Sequence, residues 1–189
     1  MCLSVASLNS GSNGNCYYIE NAKEAVLVDV GISCKEIDKR MARLNLSPQK
    51  IKAVFITHEH ADHIYGLSSF LKKYQVPVYI TQKTFLQLTG VPQQLVHYFN
   101  INDVIKIGAL SVIAFSKLHD AVDPCSFIVT CNNTTVGVFT DIGFSCSNII
   151  HYFRQCHAAF LEANYDAEML NNGRYPIVLK EESAEVKDI

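Results

Sequence analysis

The chain has 189 residues, 49% of them hydrophobic and 18% charged, with a formal net charge of −2 at pH 7. That is long enough to bury one real core, and no apolar run approaches the roughly 18 residues that span a bilayer, so a membrane protein is excluded as an expectation. Lys and Arg never form a block of more than two, so bulk charge draws the chain neither to nucleic acid nor to an anionic membrane, and any nucleic-acid substrate has to be held locally.

Met1 to Ser7 lack both a basic stretch and a long apolar stretch, and no secretory signal is expected there. Seven cysteines without a C-x-x-C pair do not resemble a disulfide framework or a structural zinc site, which places the chain in a reducing cytoplasm. A single domain over residues 1–189 is expected, with a disordered charged tail from Lys180 to Ile189.

Leu3 to Leu8 alternates apolar and small polar residues, as a first strand does. Asn9-Ser10-Gly11-Ser12-Asn13-Gly14-Asn15 follows, then the apolar run Cys16 to Ile19. Glycines among Asn and Ser are turn chemistry. Two readings stay open: a plain hairpin loop, or a Gly-rich edge at Ser12, Asn13, Gly14 and Asn15 whose amides meet an anionic substrate. Ala25 to Val30 reads as a strand closed by Gly31, with the Asp29 carboxylate at its end. Ser33 and Glu36 then form a capping box for a helix to about Leu44, with Ile37, Met41 and Leu44 on one face.

Apolar Ala53 to Ile56 reads as a buried strand. At its end stands Thr57-His58-Glu59-His60-Ala61-Asp62-His63, three imidazoles and two carboxylates within seven residues. Imidazole and carboxylate are the groups that donate lone pairs to zinc, iron or manganese, and a turn at a strand end folds several of them onto one point. The spacing is not that of a helical H-E-x-x-H site, because Asp62 occupies the position four after His58. His58 and His60 are therefore expected to converge from extended or loop backbone, with Asp62 and His63 in the first turn of the next helix. The bland alternative, a polar loop, has no need for three of the chain's seven histidines. Ile64, Leu67, Phe70 and Leu71 continue at helical spacing to Tyr74 and read as core.

Val76 to Ile80 is a short strand, and Thr81 caps a helix through Leu88. This alternation favours helices packed outside a sheet. The second half turns to β: residues 104–107 and 110–115 flank Gly108, and residues 127–131 pair with 136–140 across Asn132-Asn133. A helix around Ile149 to Gln155 leads to a strand at Ala158 to Leu161. Polar residues recur at strand ends: Asp29, His58, His119, Asp141 and Glu162. His97, His151 and His157 stand alone and read as surface or satisfied core residues.

T-H-E-H-A-D-H after one strand, a lone His119 after a later one, and T-D-I-G after a third resemble the metallo-β-lactamase superfamily. L-N-S-G-S-N-G-N-C, L-H-D-A-V-D-P and L-E-A-N-Y-D are similar to its YycJ group (also called WalJ or VicX) of bacterial metallo-hydrolases, from about Leu3 to Pro176. The resemblance implies an α/β (α+β) chain folded as an αββα sandwich with a two-metal site at one edge. His58, His60 and His119 would hold the first ion and Asp62 and His63 the second, with Asp141 bridging; Asp62 and Asp141 would serve catalysis. Asp29 would orient the metal loop through hydrogen bonds, with Asp120 and Glu162 behind the ligands. The implied cofactors are two divalent metal ions, zinc or else manganese or iron. Such a pair acidifies a shared water and stabilises charge developing on a phosphoryl or carbonyl oxygen.

Relatives carry a further metal-binding His beyond the L-E-x-N-x-D segment, in a G-H-L-S string, whereas here no His follows His157. One ligand is then expected to be missing from the second ion, and the second half of the sandwich to be incomplete. Exposed sheet surface would favour a homodimer. The resemblance implies a nuclease, specifically a 5′-to-3′ exonuclease on DNA. Hydrolysis of a thioester or lactam at the same site and a non-catalytic metal-binding domain are the alternatives.

Overall fold

The parallel half of the molecule follows from apolar runs too continuous for a sheet with one wet face. In the computed structural model, which describes residues 3–143 and 145–162, these runs form the middle of one sheet whose strands lie in chain order. The strands are β1 (Ser4–Asn9), β2 (Cys16–Glu20), β3 (Ala25–Val28), β4 (Ile51–Phe55), β5 (Val78–Ile80) and β6 (Val96–Tyr98). β1, β2 and β3 are antiparallel neighbours, whereas β3 to β6 run parallel. Parallel neighbours require crossovers. α1 (Cys34–Arg43) joins β3 to β4, α2 (Ala61–Ile64) and α3 (Leu67–Tyr74) join β4 to β5, and α4 (Gln82–Phe85) joins β5 to β6.

The second sheet has the order β11-β10-β9-β8-β7. Its strands are β7 (Val104–Ile107), β8 (Leu110–Ser116), β9 (Cys125–Cys131), β10 (Thr134–Phe139) and β11 (Ala158–Leu161), with α5 (Ser147–Phe153) crossing from β10 to its parallel neighbour β11. Both expected hairpins form, because the left-handed φ of Gly108 and Asn132 (57° and 52°) is available to Gly and Asn at little cost.

Alternation along the strands sorts the side chains into layers. Tyr17, Ile19, Val26, Val28, Ala53 and Phe55 face the second sheet, where they meet Val112, Ala114, Phe127, Val129 and Val138. Tyr18, Leu27, Val54 and Ile56 point the other way, against Ile37 and Met41 of α1 and Leu67, Phe70 and Leu71 of α3. Phe115, Ile128 and Phe139 pack under Ile149 and Tyr152 on the far side of the second sheet. The order of layers is helix, sheet, sheet, helix, the expected αββα sandwich.

Local expectations fare unevenly. Ser33 Oγ accepts from the Glu36 amide (3.2 Å), but the Glu36 carboxylate turns to Arg40 (3.0 Å), so half of the capping box forms. The helix expected to run from the histidine motif to Tyr74 breaks at Gly66, whose amide leaves the helical ladder to bond Val30 O (2.8 Å). α4 stops at Phe85, short of Leu88, and Leu86 is exposed. β6 was not anticipated; its three residues are half-exposed or exposed and carry no strand pattern. The charged tail from Lys180 lies outside the described residues. No helix among the described residues is long and apolar enough to cross a membrane.

Candidate metal centre

Four chain segments bring polar groups to one end of the sandwich. Asp29 follows β3, the histidine motif follows β4, His119 follows β8 and Asp141 follows β10. Asp29 and Asp141 both adopt left-handed backbone, with φ of 59° and 46°. That region costs most residues energy and is tolerated by Asp.

The histidine motif is held from behind by Asp29, which is fully buried. Asp29 Oδ1 accepts from the Thr57 amide (2.9 Å) and Oδ2 from the Thr57 hydroxyl (2.8 Å). His63 Nδ1 lies 2.7 Å from the same Oδ2. Thr57 Oγ1 is also 2.9 Å from His58 Nδ1. Since that hydroxyl's own proton goes to Asp29, the proton between Thr57 and His58 belongs to Nδ1, and His58 Nε2 keeps a lone pair. Asp29 and Thr57 thus fix the tautomer and tilt of two imidazoles, the arrangement that outer partners of metal ligands provide.

In front of this support, His58 Nε2, His60 Nδ1 and His119 Nε2 form a triangle with all three edges 3.2 Å. Three nitrogens bound tetrahedrally to one zinc-sized ion at about 2.0–2.1 Å stand about 3.3 Å apart. A second group, His58, His63 and Asp141, shares His58 with the first. Asp141 Oδ2 is 2.8 Å from His63 Nε2 and 3.9 Å from His58 Nε2, yet it is buried without a properly directed hydrogen bond. Asp62 stands at the edge of this group, with Oδ2 3.4 Å from His63 Nε2. An orphaned carboxylate oxygen beside convergent nitrogens fits a divalent cation.

The electrostatics agree. Burial, with neighbouring His63 and Lys117, pushes the His58 pKa far down, so this ring is neutral and free to ligate. Burial alone would lower His63 as well, but the Asp29 charge and contacts with Asp141 and Asp62 push it up to about 11. In the metal-free protein, an imidazolium therefore supplies the positive charge these carboxylates lack. Asp62, through its bond to His63, is held below the usual carboxylate range.

Comparison with known proteins fits this geometry. Residues 10–172 match the family described as the metallo-beta-lactamase superfamily. The chain is 33% identical over 184 residues to "Exodeoxyribonuclease YycJ" of Bacillus anthracis, covering 95% of this chain and 70% of that protein. It is 32% identical over 180 residues to "Exodeoxyribonuclease WalJ" of Streptococcus pneumoniae, covering 92% and 67%. The chain belongs to the metallo-β-lactamase superfamily. Within it, the chain is a YycJ-like member with the hydrolase fold, and spans about two thirds of the length of these relatives. Among solved structures, the metallo-beta-lactamase fold protein YhfI of Bacillus subtilis superposes with a TM-score of 0.65 at 18% identity, over 79% of this chain and 66% of that one.

The superfamily's centre is braced here by the Gly-rich loop. Ser12 and Asn13 are exposed, whereas Gly14 and Asn15 are buried. The Asn15 amide bonds Asp62 O (2.6 Å), Asn15 O accepts from Gly31 N (2.8 Å), and Asn15 Nδ2 sits 3.1 Å from His63 Nε2. A Cβ on Gly31 would overlap the carbonyl oxygen of Asp62. Gly31→Ala is therefore expected to cost about 3 kcal/mol, the upper part of the overpacking range; a denaturant titration checks it, and an unchanged midpoint would contradict the packing described.

Asp120 Oδ1 meets His119 Nδ1 at 2.9 Å, so this exposed carboxylate holds the imidazole from outside. Glu162 bonds Phe139 O through its amide, and its Oε2 is buried with no partner among the described residues. Three contributors escaped the sequence reading. Thr57 was read only as part of the motif. Lys117 is buried, donates to Thr140 O (2.6 Å) and so ties the segment before His119 to the one before Asp141; burial lowers its pKa. Nothing in the sequence around Lys117 marks it except its place two residues before His119. The third is Glu59.

Proposed function

We propose that the chain is a metal-dependent hydrolase of phosphodiester bonds that acts on DNA as a 5′-to-3′ exonuclease, with two divalent ions, zinc foremost. The observation carrying this reading is the His58–His60–His119 nitrogen triangle with His63, Asp62 and Asp141 gathered beside it. It is supported by the exodeoxyribonuclease names of the relatives that cover most of the chain. His58, His60 and His119 would hold one ion, and His63, Asp62 and Asp141 the other. Bound divalent ions would supply Lewis acidity, making water a nucleophile near neutral pH and stabilising charge on the phosphoryl group.

The chain's own groups account for the rest. Asp29 and Thr57 keep the ligating lone pairs of His58 and His63 turned toward the centre. Asp62, partly exposed and held unprotonated, offers its Oδ atoms as acceptors for a proton leaving the attacking water. Ser12 and Asn13, on the exposed part of the loop anchored by Asn15, are assigned to contact the DNA backbone. The test is incubation of the metal-loaded protein with 5′-phosphorylated single- and double-stranded DNA. Mononucleotide release from the 5′ end is expected. Turnover of a chromogenic β-lactam or a glutathione thioester with DNA left intact would overturn the reading.

A further inference from the structure

Glu59 lies between two histidines of the motif but is tied to a different segment. Its Oε1 accepts from the amide of Val122 (2.8 Å), and its Oε2 is buried without a partner among the described residues. Val122 stands three residues after His119, in a tight turn where the Ala121 amide bonds His119 O (2.9 Å). The base of this loop is pinned elsewhere, by Lys117 N to Pro124 O (3.3 Å), Gly143 N to Leu118 O (2.9 Å) and Cys125 N to Thr57 O (3.0 Å). Its crown has an exposed pair on the outer side, Lys83 with Asp123 (3.4 Å), and the Glu59 bond toward the histidine motif.

A loop held only at its base would let His119 drift. The triangle does not hold itself along its His58–His119 edge, because Thr57 and Asp120 take the Nδ1 protons and leave two Nε2 lone pairs facing each other at 3.2 Å. We propose that Glu59 is a positioning residue: by capturing the Val122 amide it sets where His119 stands over His58 and His60, and so how tightly the three-histidine site takes its ion. This rests on reading those histidines as a metal site. The bond needs an acceptor at Oε1, and a neutral amide supplies one equally well.

The parent protein, Glu59→Ala and Glu59→Gln are stripped of metal and titrated with zinc against a chromophoric chelator, with cobalt absorption reporting tetrahedral geometry. Glu59→Ala is expected to weaken the three-histidine site by about 10- to 100-fold, the range for partners that orient ligands, and to diminish the tetrahedral cobalt bands. Glu59→Gln is expected to stay close to the parent. Equal affinity in Glu59→Ala overturns the proposal, as does an equal loss in Glu59→Gln, which would make charge the cause. Amide exchange at Val122 in the parent protein is an independent arm should Glu59→Ala fail to fold: protection supports the bond and rapid exchange overturns it. Failure of the parent to bind zinc defeats the metal-centre reading itself.

Discussion

Replacing His60 and Asp62 together by alanine is expected to cut DNA hydrolysis by the metal-loaded protein by ~10³-fold or more, which is ~4 kcal/mol of lost transition-state stabilisation. His60 Nδ1 is one corner of the nitrogen triangle, and its loss leaves His58 and His119 as a pair. Asp62 contributes both the oxygen beside His63 and the assigned proton acceptor. Both side chains are on the partly exposed side of the centre, so the sandwich itself should melt much as before. Single-turnover rates, with metal content measured on the same samples, check this. His97→Ala is the control, since that ring stacks on Tyr79 (5.2 Å) at the edge of the sheet. Cleavage surviving in the double variant would place the chemistry elsewhere.

Asp29→Ala is expected to produce the largest loss of stability. The carboxylate satisfies two Thr57 donors and the His63 ring, all buried. Removing one partner of such a buried pair costs ~3–5 kcal/mol, which for a domain of this size corresponds to a fall in melting midpoint of roughly 10 °C. The sign of its pH dependence follows from His63. A histidine whose folded pKa is raised gives stability that is fully present below its unfolded value, near 6.5, and is lost as pH rises through the folded value, about 11. In metal-free protein the deficit of Asp29→Ala is therefore expected to be widest near pH 6 and to narrow as pH climbs toward 11. Melting curves across that range check it. A deficit that grows with pH would contradict the pairing.

Much of this was legible because the relevant signals are local. The apolar runs at Ala25 to Val30 and Ala53 to Ile56, the paired strands around Asn132 and the spacing of H-x-H-x-D-H each declare themselves within a few residues. Asp29 and Asp141 were readable as acids at strand ends. The break at Gly66 was not, because it depends on Val30, which lies far back in the chain and captures the Gly66 amide. Asn15 illustrates the same limit. Among Ser and Gly it reads as part of a turn or of an edge that meets substrate, yet its backbone and side chain are taken up by Asp62, Gly31 and His63. Glu59 and Lys117 act on partners 63 and 23 positions away, and short-range pattern carries no trace of such pairings.

The donors are divided between two layers: His58, His60 and His63 rise from the first sheet, His119 and Asp141 from the second. Any ion they share rivets one layer to the other, and its grip depends on how far apart the layers stand. That distance is set by the apolar filling, where Phe55 meets Phe127 edge-on at 5.4 Å only a few residues from the ligands. The girth of a hydrocarbon side chain would then set how tightly a shared cation is gripped, with the oily interior as the tuning screw.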